Sequence, residues 1–345
     1  MKIAVIGAGA IGLTHCTAIH ATDGVSLAGI SDPSDAAAEI AARFATRHHR
    51  DHRALIAAER PDGAVIATPN SWHVPIAVDF LEAGIPVLVE KPVANTSTEA
   101  LALLETEART GVPVLVGHHR RHHPFVAKAH ALVTQGALGR MVMANVSYNL
   151  MKPDSYFEAD WRRRPGIGGP FLINAIHEID LLRHVMGEIV TVQAMAANAV
   201  RGFAVEDTGA VLFRFASGAL AALTVSDTAS APWSWDLASG DVPRFPRHDV
   251  VSHRFSGTEA ALTLPRLELW RHDGERSWTT PMRAEPVPCT PADPFLRQLG
   301  NFTEVIAGRA APLVSAREGV LDLAVMEALL GAARSRREEE VATAV

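Results

Sequence analysis

The first third of the chain alternates short, almost wholly apolar runs with segments whose apolar residues recur at helical spacing. The apolar runs predict strands at 2–7, 25–31, 63–67, 86–90 and 113–117. The segments between them predict helices at 11–21, 34–44, 73–83 and 98–110. Strands that are apolar throughout and alternate with helices are typical of a parallel sheet covered on both faces. This part of the sequence therefore predicts an α/β fold.

The pattern changes after Gly117, where apolar and polar positions alternate. The runs 210–216 and 219–226 flank Ser217-Gly218, which predicts a β-hairpin. Further strands are predicted at 140–148, 251–256, 260–264 and 267–271, and helices at 124–135, 174–186, 294–307 and 315–333. Antiparallel strands with helices on one side are typical of an α+β domain, and we expect the charged C-terminal tail to fray. A chain of 345 residues is thus expected to form two domains, 1–120 and 121–345.

A glycine motif lies where the first predicted strand meets the first predicted helix. Gly7, Gly9 and Gly12, with Ala10 and Ile11 before the last glycine, match the pattern G-x-G-x-x-G. The first glycine permits a tight turn, the second lets the backbone approach a pyrophosphate, and the third lets helix and strand pack closely. Free N–H groups and the helix dipole then hold the anion. We therefore interpret the first domain as a Rossmann domain that binds a nicotinamide dinucleotide.

An acidic residue ends the second predicted strand. Asp32 follows Gly12 by twenty residues, where a carboxylate can bind the hydroxyls of the adenine ribose and repel a 2′-phosphate. The next residues, Pro33-Ser34-Asp35, bring no arginine or lysine before Arg43. We therefore expect NAD rather than NADP as the cofactor. Asp32 is also placed to cap the helix that follows, and one carboxylate could serve both purposes.

Glu90-Lys91-Pro92 follows the strand predicted at 86–90. The C-terminal ends of parallel strands open at the edge where the glycine motif lies, so we expect Lys91 beside the cofactor. An ammonium there can polarise a carbonyl during hydride delivery, or its amine can take the alcohol proton in the reverse direction. A lysine at a strand end is more often a surface residue, but the neighbouring motifs favour the catalytic interpretation.

Further motifs follow in a specific order and spacing. They are Thr68-Pro69-Asn70 with His73, Gly117 with Arg121 and Pro124, Trp161-Arg162, Gly168-Gly169, His177 and Asp180. Together with the glycine motif, Asp32 and Glu90-Lys91-Pro92, they resemble the motifs of the glucose–fructose oxidoreductase, inositol dehydrogenase and rhizopine catabolism (Gfo/Idh/MocA) family. The resemblance covers most of the chain.

The resemblance implies a second domain built on a large, open, mostly antiparallel sheet that often joins copies into a homodimer or homotetramer. It implies that Lys91 and His177 are catalytic and that the Lys91-Pro92 peptide is cis. It also implies that the cofactor is lined by Thr68, Pro69, Asn70, His73 and Glu90. Members of the family mostly oxidise or reduce one carbinol carbon of a sugar, cyclitol or related polyol.

One position departs from the family pattern. Many relatives carry an aspartate four residues before the catalytic histidine, and counting back from His177 gives Ile173, with Asn174 beside it. Asn174 lies near the same helical face and can hydrogen-bond a substrate hydroxyl, but it cannot act as a base. The proton relay then runs through Lys91 and His177 alone, or through His177 and Asp180 on the same helix.

Other side chains are candidate substrate ligands. Trp161-Arg162 is expected to border the nicotinamide, and Tyr148 and Lys152 follow a predicted strand. Trp235 either stacks on a sugar ring or packs on the sheet. Arg121, in the run 118–123 of histidines and arginines, would suit a substrate carboxylate. We expect no metal there, since adjacent histidines on a strand point to opposite faces and no carboxylate or cysteine accompanies them in sequence.

Composition narrows the class of protein. The net charge is −6, from 32 basic and 38 acidic residues, which provides no basic surface for nucleic acid. No apolar run reaches the roughly 18 residues that cross a membrane. The two cysteines, Cys16 and Cys289, favour reduced thiols in a cytoplasmic protein. The expected partners are a small polyol or cyclic substrate and further copies of the chain.

Three hypotheses about function follow. The first is an NAD(H)-dependent sugar or cyclitol dehydrogenase. The second is a dehydrogenase of a cyclic cis-diol carboxylate from aromatic degradation, which Arg120-Arg121 and the apolar Ile173 favour. The third is a non-catalytic NAD-dependent sensor, which would have little reason to keep Lys91 and His177. A redox-neutral variant of the first, in which NAD⁺ is transiently reduced during an elimination, is also compatible with the sequence.

Overall fold

The computed structural model describes residues 1–242 and 244–342. The chain divides into two compact units. The first unit comprises Met1–His122 and Asp293–Leu323, and the second comprises His123–Ala292 and residues 324–342. The sequence predicted one boundary near residue 120, whereas the chain returns to the first unit after residue 292.

The first unit is built on a six-stranded parallel sheet. Its strands are β1 (Lys2–Ile6), β2 (Ser26–Ser31), β3 (His48–His49), β4 (Gly63–Ile66), β5 (Val87–Val89) and β6 (Val114–Val116). They lie in the order β3-β2-β1-β4-β5-β6. The order reverses between β1 and β4, and ligands of such sheets bind outside the carboxyl ends of the strands at this reversal.

Helices cover both faces of this sheet. They are α1 (Ala10–His20), α2 (Ala37–Arg43), α3 (His52–Glu59), α4 (His73–Glu82) and α5 (Ser97–Thr110). Successive residues of β1 enter opposite cores, Ala4 and Ile6 on one face and Ile3 and Val5 on the other, which explains why the strands are apolar throughout. The sequence did not predict β3 or α3, because β3 has two residues and α3 buries only Leu55.

The second unit is built on a nine-stranded sheet. Its strands are β7 (Met141–Asn149), β8 (Ile189–Ala197), β9 (Thr208–Phe215), β10 (Leu220–Ser226), β11 (His253–Gly257), β12 (Ala261–Leu264), β13 (Glu268–His272), β14 (Met282–Pro286) and β15 (Glu339–Glu340). They lie in the order β14-β13-β12-β11-β7-β10-β9-β8-β15. The pair β7–β10 is parallel and the other pairs are antiparallel. The predicted mostly antiparallel sheet and the hairpin at Ser217-Gly218, which joins β9 to β10, are confirmed.

Two expectations about the second unit were wrong. The tail was expected to fray, but Glu339 and Glu340 pair with β8 as the edge strand β15, and Val341 is buried. The sequence also predicted no strand at β8 or β14. The outward residues of β8 include Met195, and β14 is exposed along its length, so neither strand carries a clean apolar alternation.

The remaining helices are α6 (Pro124–Thr134), α7 (Ile176–Met186), α8 (Trp235–Ala238), α9 (Pro294–Ile306) and α10 (Ala316–Ser335). A π-helical turn, Phe171–Ala175, leads directly into α7. Inward residues of β9 such as Val211 and Phe213 join one core with α7 and the later part of α10. No helix in the described ranges 1–242 and 244–342 is long and apolar enough to span a bilayer.

Helix α9 belongs to the first unit because its apolar face completes a core there. Leu299, Phe302 and Val305 are buried beside Cys16 and Ile19 of α1. A Cβ on Gly63 would lie 2.5 Å from the Ile306 Cδ1 atom of α9, so the helix packs closely on β4. Without α9, this face of the Rossmann sheet would be only partly covered by α1 and α2.

Replacing Phe302 with alanine should destabilise the first unit by about 3 kcal/mol, since it leaves a cavity in that core. The measurement is the urea midpoint of the unfolding transition that NADH shifts. Leu296→Ala, at a position of the same helix that is 40% exposed, should move the midpoint much less. Equal shifts for the two variants would contradict the placement of α9.

Candidate active site

The glycine motif forms an open turn at the start of α1. Gly7 has φ +98°, a left-handed conformation that favours glycine. A Cβ on Gly12 would lie 2.0 Å from the Gly7 carbonyl oxygen, whereas a Cβ on Gly9 would meet nothing within 4 Å among the described atoms. No described side chain caps α1, so the first N–H groups of the helix are available to an anion. This turn fits a dinucleotide pyrophosphate.

Asp32 joins the glycine turn to the turn that follows β2. One carboxylate oxygen accepts from the Ala8 N–H and the other from the Ser34 N–H, both at 2.8 Å. The capping alternative considered from the sequence is wrong, because α2 begins at Ala37 with Ala36 as its N-cap and no side-chain cap. The carboxylate instead holds the glycine turn and the turn after β2. The side chain is only half-buried, so its remaining lone pairs can accept hydrogen bonds from ribose hydroxyls.

His73 joins the loop after β4 to the loop after β5. Its ring nitrogens lie 2.8 Å from the Thr68 carbonyl oxygen and 2.9 Å from the Pro92 carbonyl oxygen. Burial lowers the pKa of His73, although the two carbonyls and Glu90 favour the charged ring. His73 thus lies behind the cofactor loops and fixes their spacing. The Lys91-Pro92 peptide is cis, as the resemblance implied.

Thr68, Pro69 and Asn70 form the loop itself. Pro69 precedes a 3-10 turn that begins at Asn70. The Thr68 hydroxyl is buried and has no hydrogen-bond partner among the residues that the structure describes. Buried hydroxyls are normally hydrogen-bonded, so this atom fits a site for a polar ligand group at the carboxyl end of β4.

The buried Glu90 connects α1 to Lys91. His15 Nε2 lies 2.8 Å from Glu90 Oε1, and the other carboxylate oxygen accepts from the Lys91 N–H at 3.1 Å. Burial alone would raise the pKa of Glu90, but the contact with His15 and the charge of Lys91 hold it below the usual value. A Cβ on Gly117 would lie 2.9 Å from the Glu90 carboxyl carbon, so glycine leaves room for this carboxylate.

His15 was missed from the sequence. It lies three residues after Gly12, on the face of α1 that is buried. Its helical spacing from Gly12 could have predicted that His15 is buried, but not which residue it contacts. The partner, Glu90, is 75 residues away in sequence and is brought to His15 by the order of the strands.

The run 118–123 differs from the prediction in two ways. Its centre is a 3-10 turn, His119–His122, and not a continuation of the strand. No carboxylate accompanies the run in sequence, but α10 brings two to it in space. Arg121 donates to Glu318 at 2.6 Å, and His118 lies 3.3 Å from Asp322. The guanidinium of Arg121 is therefore already paired with a carboxylate of the protein.

In the second unit, Asn174 is the centre of a buried polar chain. Its amide oxygen accepts from Lys152 Nζ at 2.7 Å, and its amide nitrogen donates to the Tyr148 hydroxyl at 2.9 Å. The Tyr148 hydroxyl donates to Asp236 at 2.5 Å. We call Lys152, Asn174, Tyr148 and Asp236 the amide chain. Asp236 was missed because it lies 88 residues beyond Tyr148 in sequence.

His177 and Asp180 are both buried on α7. The residue that follows His177 is bonded to a neighbouring strand: Glu178 lies 2.6 Å from His253 Nε2, and His253 Nδ1 lies 2.9 Å from the Ser252 hydroxyl. All three of these partners are buried, so they fix α7 against β11 at the residue that follows His177.

The aromatic candidates divide into two environments. Trp161 is half-exposed, and the guanidinium of Arg162 stacks 3.8 Å from the centre of the Tyr156 ring. Trp235 is 1% exposed, and its indole nitrogen donates to Asp241 at 2.8 Å. A ring that is enclosed in this way has no free face for a sugar, so the structure supports the packing alternative for Trp235.

A Rossmann sheet with an open glycine turn, Asp32 and a lysine at the edge of the sheet is typical of NAD-binding oxidoreductases. A model of an oxidoreductase family with an NAD-binding Rossmann fold matches residues 1–118, and a model of the GFO/IDH/MocA C-terminal domain matches residues 126–251. Together they cover more than half of the chain. The chain therefore belongs to the Gfo/Idh/MocA family, and its cofactor is NAD.

Individual relatives agree with this placement. The chain is 31% identical to inositol 2-dehydrogenase 4 of Saccharopolyspora erythraea over 65% of its length and 66% of that protein. It is 31% identical to 4-carboxy-2-hydroxymuconate-6-semialdehyde dehydrogenase of a Sphingobium species, over 59% and 62%. The matches thus span less than two thirds of both relatives. The rhizopine catabolism protein MocA of Rhizobium meliloti is 26% identical over 95% and 93%.

Solved structures share the fold. The WlbA dehydrogenase of Bordetella pertussis, in complex with NADH and UDP-GlcNAcA, has a TM-score of 0.81 at 22% identity, with 99% and 98% of the two chains covered. A levoglucosan dehydrogenase in complex with NADH and levoglucosan has a TM-score of 0.82 at 23% identity, with 99% of both chains covered.

Replacing Glu90 with glutamine should lower the free energy of unfolding by about 2–3 kcal/mol at neutral pH, since it removes a buried charged hydrogen-bond partner. The pKa of Glu90 is lowered by folding, so its stabilisation is present above the usual carboxyl pKa and is lost as pH falls through the lowered one. The difference in melting temperature from the wild type should therefore narrow below about pH 4.

The matched control is Glu82→Gln, at an exposed carboxylate that pairs with Arg109 on the surface. Surface ion pairs contribute little, so this variant should melt close to the wild type at every pH. A Glu90→Gln variant that behaved like the control would show that the contact with His15 does not stabilise the fold.

Proposed function

We propose that this chain is an NAD(H)-dependent dehydrogenase that transfers hydride to or from a carbinol carbon of a sugar, cyclitol or related polyol. The observation that carries the proposal is the support of Lys91 at the carboxyl edge of the Rossmann sheet. Glu90 and His15 hold its peptide on one side, and His73 holds the Pro92 carbonyl on the other. The relatives named as inositol 2-dehydrogenases favour a polyol.

Each residue of the first unit then has a role. Gly7, Gly9 and Gly12, with the N–H groups around Ala10 and Ile11, bind the pyrophosphate, and Asp32 binds the adenine ribose. Thr68, Pro69 and Asn70 line the cofactor, His73 spaces the loops, and Glu90 orients Lys91. Bound NAD⁺ supplies the acceptor for the hydride. Lys91 takes the hydroxyl proton during oxidation and returns it during reduction.

The second unit supplies the substrate ligands in this proposal. His177 is the second acid–base residue, with Asp180 as its candidate relay partner on α7. Asn174 cannot act as a base. Its amide is held in one orientation by the amide chain, because its oxygen accepts from Lys152 and its nitrogen donates to the Tyr148 hydroxyl. Trp161 and Arg162 are the further candidates for contact with the substrate.

The structure weakens one argument for a carboxylated ring as substrate. That hypothesis relied on Arg121, whose guanidinium is paired with Glu318. Carboxylated substrates still belong in the test, because one relative is named 4-carboxy-2-hydroxymuconate-6-semialdehyde dehydrogenase. A panel of cyclic polyols, sugars and cyclohexadiene-diol carboxylates, followed by NADH absorbance, separates the two. Turnover of the carboxylates alone would replace the polyol with a carboxylated ring.

Replacing Lys91 with alanine should lower kcat by about 10²- to 10⁴-fold, the usual contribution of a positioned acid–base group. The dissociation constant for NADH should change much less, because the cofactor is held mainly by the glycine turn and Asp32. The measurement pairs steady-state kinetics on the best polyol with calorimetric NADH titration. Lys128→Ala, which removes an exposed lysine of α6, is the matched control.

A different pattern would point to the sensor hypothesis. If the wild type oxidised no member of the panel while Lys91→Ala bound NADH and polyols equally well, the catalytic proposal would be wrong.

We also propose that copies of the chain associate through the outer face of the nine-stranded sheet. This face carries exposed apolar side chains on four neighbouring strands: Met143, Met195, Leu212 and Leu220. Leu212 is 56% exposed and lies between Gln193 of β8 and Ala222 of β10. Exposed apolar patches of this kind often mark protein–protein contacts, and the resemblance implies a homodimer or homotetramer.

Placing a charge at the centre of that face should separate the copies. Leu212→Asp is expected to convert a dimer or tetramer into a monomer, because an unpaired carboxylate buried in an interface is costly. Light scattering coupled to size exclusion measures the mass. Val200→Asp, at a residue that is 74% exposed and outside the sheet, should keep the wild-type mass. A wild type that is already monomeric would contradict the proposal.

A further inference from the structure

An arginine that is distant in sequence lies beside Asp32. The parallel pairing of β2 and β3 matches Ser31 with His49, so the next residues along the two strands are Asp32 and Arg50. The guanidinium of Arg50 contacts the Asp35 carboxylate and donates to the Pro33 carbonyl oxygen at 3.4 Å. In the sequence, no arginine or lysine lies between Asp32 and Arg43. Arg50 was not considered, because the strand β3 that brings it to this turn was not predicted.

This arginine lies at the turn that decides between the two nicotinamide dinucleotides. In Rossmann domains the acidic residue that ends the second strand binds the 2′-hydroxyl of the adenine ribose, and an arginine nearby accommodates the 2′-phosphate of NADP. Guanidinium groups bind phosphate through paired charged hydrogen bonds. Arg50 therefore has the chemistry and the position to bind such a phosphate.

Two carboxylates oppose that use of Arg50. Asp32 is fixed by the Ala8 and Ser34 N–H groups. Asp35 forms an ion pair with the Arg50 guanidinium. The Arg50 and Asp35 side chains are 64% and 86% exposed, so the pair is held by its mutual charge and not by burial. Exposed pairs of this kind are weak and exchange partners readily.

We propose that Arg50 is a latent ligand for the adenosine 2′-phosphate, and that Asp35 keeps it from that role. Preference for NAD then depends on two carboxylates. Asp32 repels the phosphate directly, and Asp35 both repels it and engages the cation that would bind it. The inference depends on NAD binding by the first unit and not on the identity of the substrate.

The test measures dissociation constants for NADPH and NADH by calorimetry, without substrate. Asp32→Asn keeps one acceptor oxygen for the turn and removes the first negative charge. Adding Asp35→Asn should tighten NADPH by about tenfold further, the effect of one charged hydrogen bond. Adding Arg50→Ala to that double variant should abolish the gain. The control adds Arg47→Ala to the double variant instead. It removes one positive charge from the same segment, at a side chain that pairs with Glu59, and most of the gain in NADPH affinity should remain.

Two results would overturn the proposal. If the gain from Asp35→Asn survives the loss of Arg50, only repulsion by Asp35 is relieved. If Asp35→Asn produces no gain while NADH still binds, Arg50 is not a phosphate ligand. The Asp35 and Arg50 side chains are largely exposed, so their variants should fold. Asp35→Asn alone should already lower the dissociation constant for NADPH several-fold, so the test does not depend on the folding of the Asp32 variant.

Salt dependence gives an independent measurement. The gain in NADPH affinity should shrink at high ionic strength, because exposed charges are screened. The dissociation constants are measured without substrate, so they can be interpreted even if no polyol is turned over. A failure of the proposed function is therefore distinguishable from a failure of this inference.

Discussion

The contact between His15 and Glu90 is the interaction on which the arrangement of the first unit depends. It connects the helix that follows the glycine turn with the peptide that carries Lys91, and both partners are buried. A buried carboxylate is costly unless its charge is compensated, and here His15 and the Lys91 N–H supply that compensation. The glycine turn and Lys91, the proposed catalytic lysine, are therefore placed by one polar contact, and Gly117 leaves room for the carboxylate.

Much of the first unit could be predicted from the sequence because its signals are local. Glycine spacing, the acidic residue at the end of β2 and the proline after Lys91 each report on the end of a strand, and strand ends of a parallel sheet converge. His15 and Arg50 could not be assigned, since their partners depend on which strands become neighbours. A two-residue strand such as β3 carries too few side chains to show a period.

The second unit shows a different limit of sequence reasoning. Counting four residues back from His177 assumes an α-helix, but Phe171–Ala175 form a π-helical turn, in which hydrogen bonds join residues five apart. The count to Ile173 therefore crosses a turn in which side chains are rotated relative to those of an α-helix. Asn174 instead joins Lys152 and Tyr148, an arrangement that no local pattern reports. Trp235 was ambiguous for a similar reason, because its enclosure depends on His123 and Asp241.

The return of α9 to the Rossmann sheet has a consequence for biosynthesis. Domains usually fold in the order in which they emerge from the ribosome. Here the first 122 residues lack the helix that covers Cys16 and Ile19, and that helix is translated only after the whole nine-stranded sheet apart from its edge strand. The nucleotide-binding half must therefore wait, incompletely packed, while the later half is made. The two units are in this sense interleaved along the chain, because each is assembled from segments that are separate in sequence.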